Sequence, residues 1–137
     1  MLAIQDAEHE ESAPEAPRLV ISKLTCSLVG TTQPITILPG TLAHRAYGTA
    51  AATEQFACNY GLNPAYQEHI SQGRLQVAGR DMAGEVRIVE LATHRFFLAT
   101  LFLPQLSSSP ARPHPLIVAY LQVAQHFHTL HHGRMTT

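Results

Sequence analysis

Charge is scarce in this 137-residue chain, in which Asp, Glu, Lys and Arg together supply only 14% of the residues. The nine Lys and Arg are dispersed along it, so there is neither a basic stripe for nucleic acid nor a polybasic patch for a membrane surface. Long apolar runs are missing too: none approaches the roughly 20 residues that a membrane-spanning helix needs. Cysteine is limited to Cys26 and Cys58, and no signal-peptide pattern precedes them, which reads as free thiols in a reducing cytoplasm. A phosphate-cradling glycine loop and an internal repeat are also absent. No cofactor and no metal is implied. What is present is an apolar fraction of 45% in 15.0 kDa, enough for one domain that buries roughly two-thirds of its unfolded surface.

The chain divides into an acidic lead-in, residues 1–17, a folded body, residues 18–132, and a tail, residues 133–137. Asp6, Glu8, Glu10, Glu11 and Glu15 crowd the lead-in without a Lys or Arg, which predicts a solvated, exposed segment. Arg18 to Gly30 alternates as one or two short strands. Thr31–Pro34 reads as a turn, Ile35–Leu38 as a strand, and Thr41 caps a helix over Leu42–Tyr47 that Gly48 ends. Asn63-Pro64 starts a second helix over Ala65–Gln72, stopped by Gly73. Leu75–Gly79 and Val86–Leu91 read as strands, joined by the turn Asp81–Gly84. Phe96–Gln105 has seven apolar residues in ten and no alternation, so it predicts a central strand covered on both faces, hairpinned to the strand before it. Three consecutive strands thus form an antiparallel meander. His114-Pro115 opens a last helix, whose stripe Leu116, Tyr120, Val123, Phe127 and Leu130 predicts a helix covering the sheet.

Leu101-Phe102-Leu103-Pro104-Gln105-Leu106 followed by Arg112-Pro113-His114-Pro115-Leu116 resembles the end of a class I glutamine amidotransferase domain of the CTP synthase type. There a buried strand runs into Gln-Phe-His-Pro-Glu-Phe, then a Ser/Arg/Pro loop and a closing helix. Thr41 to Gly48, Glu54 with Tyr60 and Asn63, Val77-Ala78-Gly79, and Val89 to Phe97 look like further segments of that family in order. The resemblance covers Ser22 to the last helix. It implies an α/β fold: the C-terminal part of a class I glutamine amidotransferase-like (flavodoxin-like) domain, with an antiparallel meander and a C-terminal helix. It also implies that Met1-Leu2-Ala3-Ile4 is the last turn of a helix truncated at the start.

The departures bear on function. Aligned on the proline, the family's catalytic His falls on Leu103 and its orienting Glu on Gln105. Leucine cannot take a proton from a thiol, and a neutral amide cannot stabilise an imidazolium as a carboxylate does. No Gly-x-Cys-x-Gly elbow precedes Cys26, which reads as a small buried thiol. The family's basic glutamine-binding loop corresponds to Gln55–Gly61, where every charge is gone. The candidate pocket is therefore Glu54, Cys58, Asn59, Tyr60, Leu103 and Gln105, with no intact catalytic residue. Of His126, His128, His131 and His132, the pair His128 and His132 has a metal-sharing spacing, but no carboxylate or Cys joins them, and they read as surface histidines.

Three function classes stand open. One is a catalytically degenerate CTP synthase-like domain serving as a binding or assembly module, with self-association or a partner domain completing its sheet. Another is an enzyme with a repurposed pocket using Cys58 as its thiol. The third is an inert fragment of a longer CTP synthase-like protein. Loss of glutaminase activity is the firm prediction of the first.

Overall fold

The computed structural model describes residues 4–132, the side chain of His132 excepted. Of the expected opening helical turn, Met1–Ala3 lie outside the described residues, as does the tail. Two sheets are built. Three strands, β1 (Glu8–His9), β2 (Leu19–Lys23) and β5 (Tyr60–Leu62), form the smaller in the order β1-β2-β5. The larger holds β3 (Thr31–Ile37), β4 (Ala51–Phe56), β6 (Gln76–Asp81), β7 (Val86–Glu90) and β8 (Leu98–Thr100), in the order β4-β3-β6-β7-β8. All pairs in the larger sheet are antiparallel, and β6, β7 and β8 are the expected meander. The helices are α1 (Leu42–Tyr47), α2 (Gln67–Gln72) and α3 (Pro115–His132). This is a mixed α/β fold with an antiparallel sheet and a C-terminal helix. No described helix is long and apolar enough to cross a membrane.

Local chemistry accounts for most boundaries. Thr41 sits in extended backbone and its hydroxyl accepts from His44 N, while Gly48 closes α1 with φ at 69°, a conformation an L side chain resists. The buried Glu90 carboxylate completes that cap, accepting from Leu42 N at 2.9 Å, Ala43 N at 3.1 Å and Gln76 Nε2 at 2.6 Å. Carboxylates are favoured there because the first N–H groups of a helix have no partner within it. Asn63 caps a 3-10 turn, Pro64–Tyr66, that leads into α2. Gly79 permits a close approach of β6 to β7: a Cβ there would stand 2.7 Å from Ile88 Cδ1 and 3.2 Å from Ile88 Cβ.

The core lies between the larger sheet and α1, with Leu116 at the start of α3 joining it. Ile35, Ile37, Phe56, Ile88 and Phe102 are each 1% exposed, and Phe56 meets Phe102 edge to face with ring centroids 5.9 Å apart. Burying each such side chain contributes about 1.5–3 kcal/mol.

Four expectations need correction. Residues 96–105 do not form a central strand: only Leu98–Thr100 are strand, and they lie at the sheet edge beside β7. The apolar run instead leaves the sheet after Thr100, carries Phe102 into the core and turns at Pro104. Residues 31–34 are strand and not turn, because Pro34 falls where β3 pairs β4 but β6 has not yet joined, which spares its missing N–H. Cys26 is exposed, not buried. Finally, α3 covers little of the sheet. Leu116 is buried and Val123 and Phe127 are half-buried, but Tyr120 and Leu130 of the expected stripe are 55% and 57% exposed, because α3 packs on α1 and the loop around Phe96, which Tyr120 meets only with its ring, and not on the sheet. The lead-in is largely exposed, yet it is anchored: β1 pairs parallel with β2, and the Glu10 carboxylate accepts from Lys23 N.

Candidate functional site

Strand β4 alternates, so Ala52, Glu54 and Phe56 point inward while Thr53 and Gln55 point out. Inward placement leaves Glu54 2% exposed. A carboxylate so buried requires donors, and two converge on it. Tyr47, at the end of α1, donates its hydroxyl to Glu54 Oε1 at 2.5 Å, and His114 Nε2 lies 3.0 Å from Oε1 and 3.2 Å from Oε2. The imidazole tautomer follows from its other nitrogen. His114 Nδ1 accepts from Leu116 N at 3.2 Å and so carries no proton, which puts the proton on Nε2, directed at Glu54. His114 thus links the start of α3 to β4, held in place by Ser108 Oγ, which accepts from His114 N. Burial, then the hydrogen bond to Glu54 and its negative charge, pushes the Tyr47 hydroxyl well above the usual tyrosine pKa.

The other candidate residues lie on the outer side of β4 and beyond it. Leu103 N donates to Gln55 O at 3.1 Å, and Cys58 Sγ donates to Leu101 O at 3.2 Å, so the Gln55–Gly61 segment runs alongside Leu101–Leu103. Gly61 fits between Leu24 and Leu101; a Cβ there would come within 2.8 Å of Leu24 Cδ2 and 3.1 Å of Leu101 Cδ2. Leu103 is half-buried and precedes the 3-10 turn Pro104–Leu106, on which Gln105 is exposed. Asn59 is exposed, its carbonyl accepting from Leu24 N, and Tyr60 packs against His9 with centroids 5.3 Å apart. The structure brings Cys58 and Leu103 to one strip of backbone, while Glu54 belongs to the core cluster. That strip presents a thiol, an aliphatic side chain and amides, with no general base and no charge among Cys58, Asn59, Leu103 and Gln105.

Sequence reasoning overlooked the cluster of Tyr47, Glu54 and His114. In sequence His114 reads as a helix start, which it is, but its partner lies 60 positions away. An inward Glu in an alternating strand was the available signal. Among the described residues no three His, Cys, Asp or Glu side chains gather into a metal-ligand set.

With this geometry in place, likeness to solved structures defines the class. The glutaminase domain of Trypanosoma brucei CTPS, solved with bound acivicin, superposes with a TM-score of 0.82 at 24% identity, covering 91% of this chain and 53% of that one. A putative GMP synthase component from Thermoplasma acidophilum follows at 0.59 and 11% identity, over 81% of this chain and 51% of that one. The fold is that of a glutamine amidotransferase domain. No protein-family model matches the chain. Curated relatives narrow the class: CTP synthase of a Picosynechococcus species is 35% identical over 131 residues, and that of Thermomicrobium roseum 34% over 135. By fold and sequence, the chain belongs with the CTP synthase-type glutamine amidotransferase domains. It aligns with 88% and 92% of its own length but only 24% of either relative, so it spans about a quarter of the CTP synthases it matches.

Proposed function

We propose that this chain is a catalytically degenerate CTP synthase-type glutamine amidotransferase domain, without glutaminase activity, that acts as a binding or assembly module. The observation that carries the reading is Leu103-Pro104-Gln105, standing where the family's resemblance places a catalytic His and its orienting Glu. Thiol attack on an amide needs a base within hydrogen-bond reach and a carboxylate to steady the resulting imidazolium. Leu103 offers neither lone pair nor proton. Gln105 is exposed and neutral, and the flanking Gln55–Gly61 segment carries no charge with which to hold a zwitterionic amino acid. These deficits act whatever thiol is offered.

The assembly half of the reading rests on surface: Tyr120, Leu121 and Leu130 are all more than half exposed on α3, and β8 is a sheet edge. A second copy or a partner domain completing the sheet would cover them. The thiol reading of Cys58 is weaker, because its S–H is committed to the Leu101 carbonyl and not to a basic side chain.

Glutamate release from glutamine by the purified chain tests the catalytic half. The expected result is no release above the uncatalysed rate, with or without Leu103→His and Gln105→Glu together. Saturable hydrolysis by the unaltered chain, abolished by thiol alkylation, refutes it. Sedimentation velocity across a hundredfold concentration range tests the assembly half, and a strictly monomeric chain that also captures no partner domain refutes that.

A further inference from the structure

A cleft of 540 Å³ opens between α1 and α3 at the Phe96 loop, on elements distinct from those carrying Cys58, Leu103 and Gln105. Leu42, Phe96, Val118 and Val123 supply its apolar wall, and Gln122 adds a polar side chain. Two arginines from separate elements, Arg45 of α1 and Arg95 of the loop, are among the residues that line it. Neither is neutralised by a carboxylate among the described residues. Arg45 makes one long bond, 3.4 Å, to Gly40 O, and Arg95 stacks 4.0 Å above the Phe127 ring. No Asp or Glu occurs between Leu42 and Thr53, nor anywhere after Glu90, and the Glu90 carboxylate that reaches Leu42 N and Ala43 N is itself buried and spent on those N–H groups and Gln76.

Two uncompensated guanidiniums above an apolar floor suit a ligand with a doubly charged head and an apolar body. Arginine matches phosphate oxygens in paired, charge-assisted hydrogen bonds, shorter and stronger than neutral ones. The volume lies within the range of small-molecule sites, roughly 300–1,000 Å³. We propose that this cleft binds an organic phosphate monoester, with the phosphate between Arg45 and Arg95 and the organic group against Phe96, Val118 and Val123. The proposal does not depend on the glutaminase reading, since no residue of that strip lines the cleft.

The test is an amide-detected NMR titration of the full chain with phenyl phosphate, inorganic phosphate and benzoate. Phenyl phosphate is expected to give saturable shifts at Leu42, Phe96, Val118 and Val123, with inorganic phosphate and benzoate each at least about tenfold weaker. Arg45→Gln is expected to weaken phenyl phosphate about tenfold, the loss of one charge-assisted pair. Because Arg95 also stacks on Phe127, its replacement loosens α3 as well, so Gln122→Glu serves as the second variant. Gln122 lines the cleft from an exposed helix position, and an acid there should abolish binding while leaving the fold intact. Absence of saturable shifts, shifts confined to other surfaces, inorganic phosphate binding as tightly as phenyl phosphate, or affinity unchanged in both variants each overturns the proposal.

Discussion

Replacing Glu54 with alanine should be among the most damaging single changes in this chain, and the structure indicates how damaging. The carboxylate is 2% exposed and is the acceptor for both the Tyr47 hydroxyl and His114 Nε2. Alanine leaves both donors stranded, and His114, 4% exposed, cannot turn to water without giving up the Leu116 N–H that its other nitrogen accepts. A buried donor left without an acceptor costs about 1–3 kcal/mol, so two predict a loss of about 4 kcal/mol. With a urea m-value of about 2 kcal/mol/M, the unfolding midpoint followed by circular dichroism should fall by about 2 M. Glu54→Gln keeps an acceptor oxygen but points an amide N–H toward the His114 N–H, and should cost about half as much. His114→Ala combined with Glu54→Ala should cost less than the two losses added, by about 2 kcal/mol, because the two residues act as one unit. A loss under about 1 kcal/mol for Glu54→Ala, or strict additivity with His114→Ala, would refute the reasoning.

Other perturbations have equally direct readouts. The Tyr47 hydroxyl is held above the ordinary tyrosine pKa of 10.0, so above that pH the unfolded chain releases a proton that the folded chain keeps. Its contribution is therefore complete below pH 10 and is lost as pH rises, by up to about 1.4 kcal/mol per unit; urea midpoints measured from pH 9 upward should fall less steeply for Tyr47→Phe than for the unaltered chain. Glu90→Gln removes the charge that accepts from Leu42 N, Ala43 N and Gln76, and should lower stability by about 2 kcal/mol, with amide exchange accelerating first at Leu42 and Ala43. At Gly79, a methyl group would meet the 1%-exposed Ile88, whose Cβ cannot retreat within a paired strand, so Gly79→Ala should cost about 1–3 kcal/mol in thermal or urea unfolding.

Much of this architecture was legible from local chemistry. Thr41 and Gly48 mark the ends of α1 because the caps are side-chain and backbone properties of single residues, and Asn63-Pro64 marks a helical start for the same reason, though a 3-10 turn intervenes before α2 begins at Gln67. Alternation around Gln76 and Val86 gives the meander. Legibility fails where tertiary placement decides. The run from Phe96 to Leu103 is apolar enough for a central strand, but its burial comes from Phe102 reaching the core after the chain has left the sheet. The stripe on α3 has helical spacing throughout, yet periodicity alone does not say which turns have something to pack against. Leu103 and Gln105 stand in a motif that can be seen in sequence, whereas Tyr47, Glu54 and His114 look ordinary there and become a unit only when β4 turns its even positions inward.

That cluster also dates the completion of the core during synthesis. Glu54 and His114 are 60 residues apart. At about 5–20 residues per second, a ribosome needs roughly 3–12 s to travel that distance. Throughout that interval the carboxylate has Tyr47 but not its imidazole, and water must hydrate what the finished fold keeps dry. The fold therefore closes late, when the start of α3 arrives. A nascent chain stalled before residue 114 should remain sensitive to protease in β4, and one stalled on an added C-terminal linker long enough to free α3 from the ribosome should not.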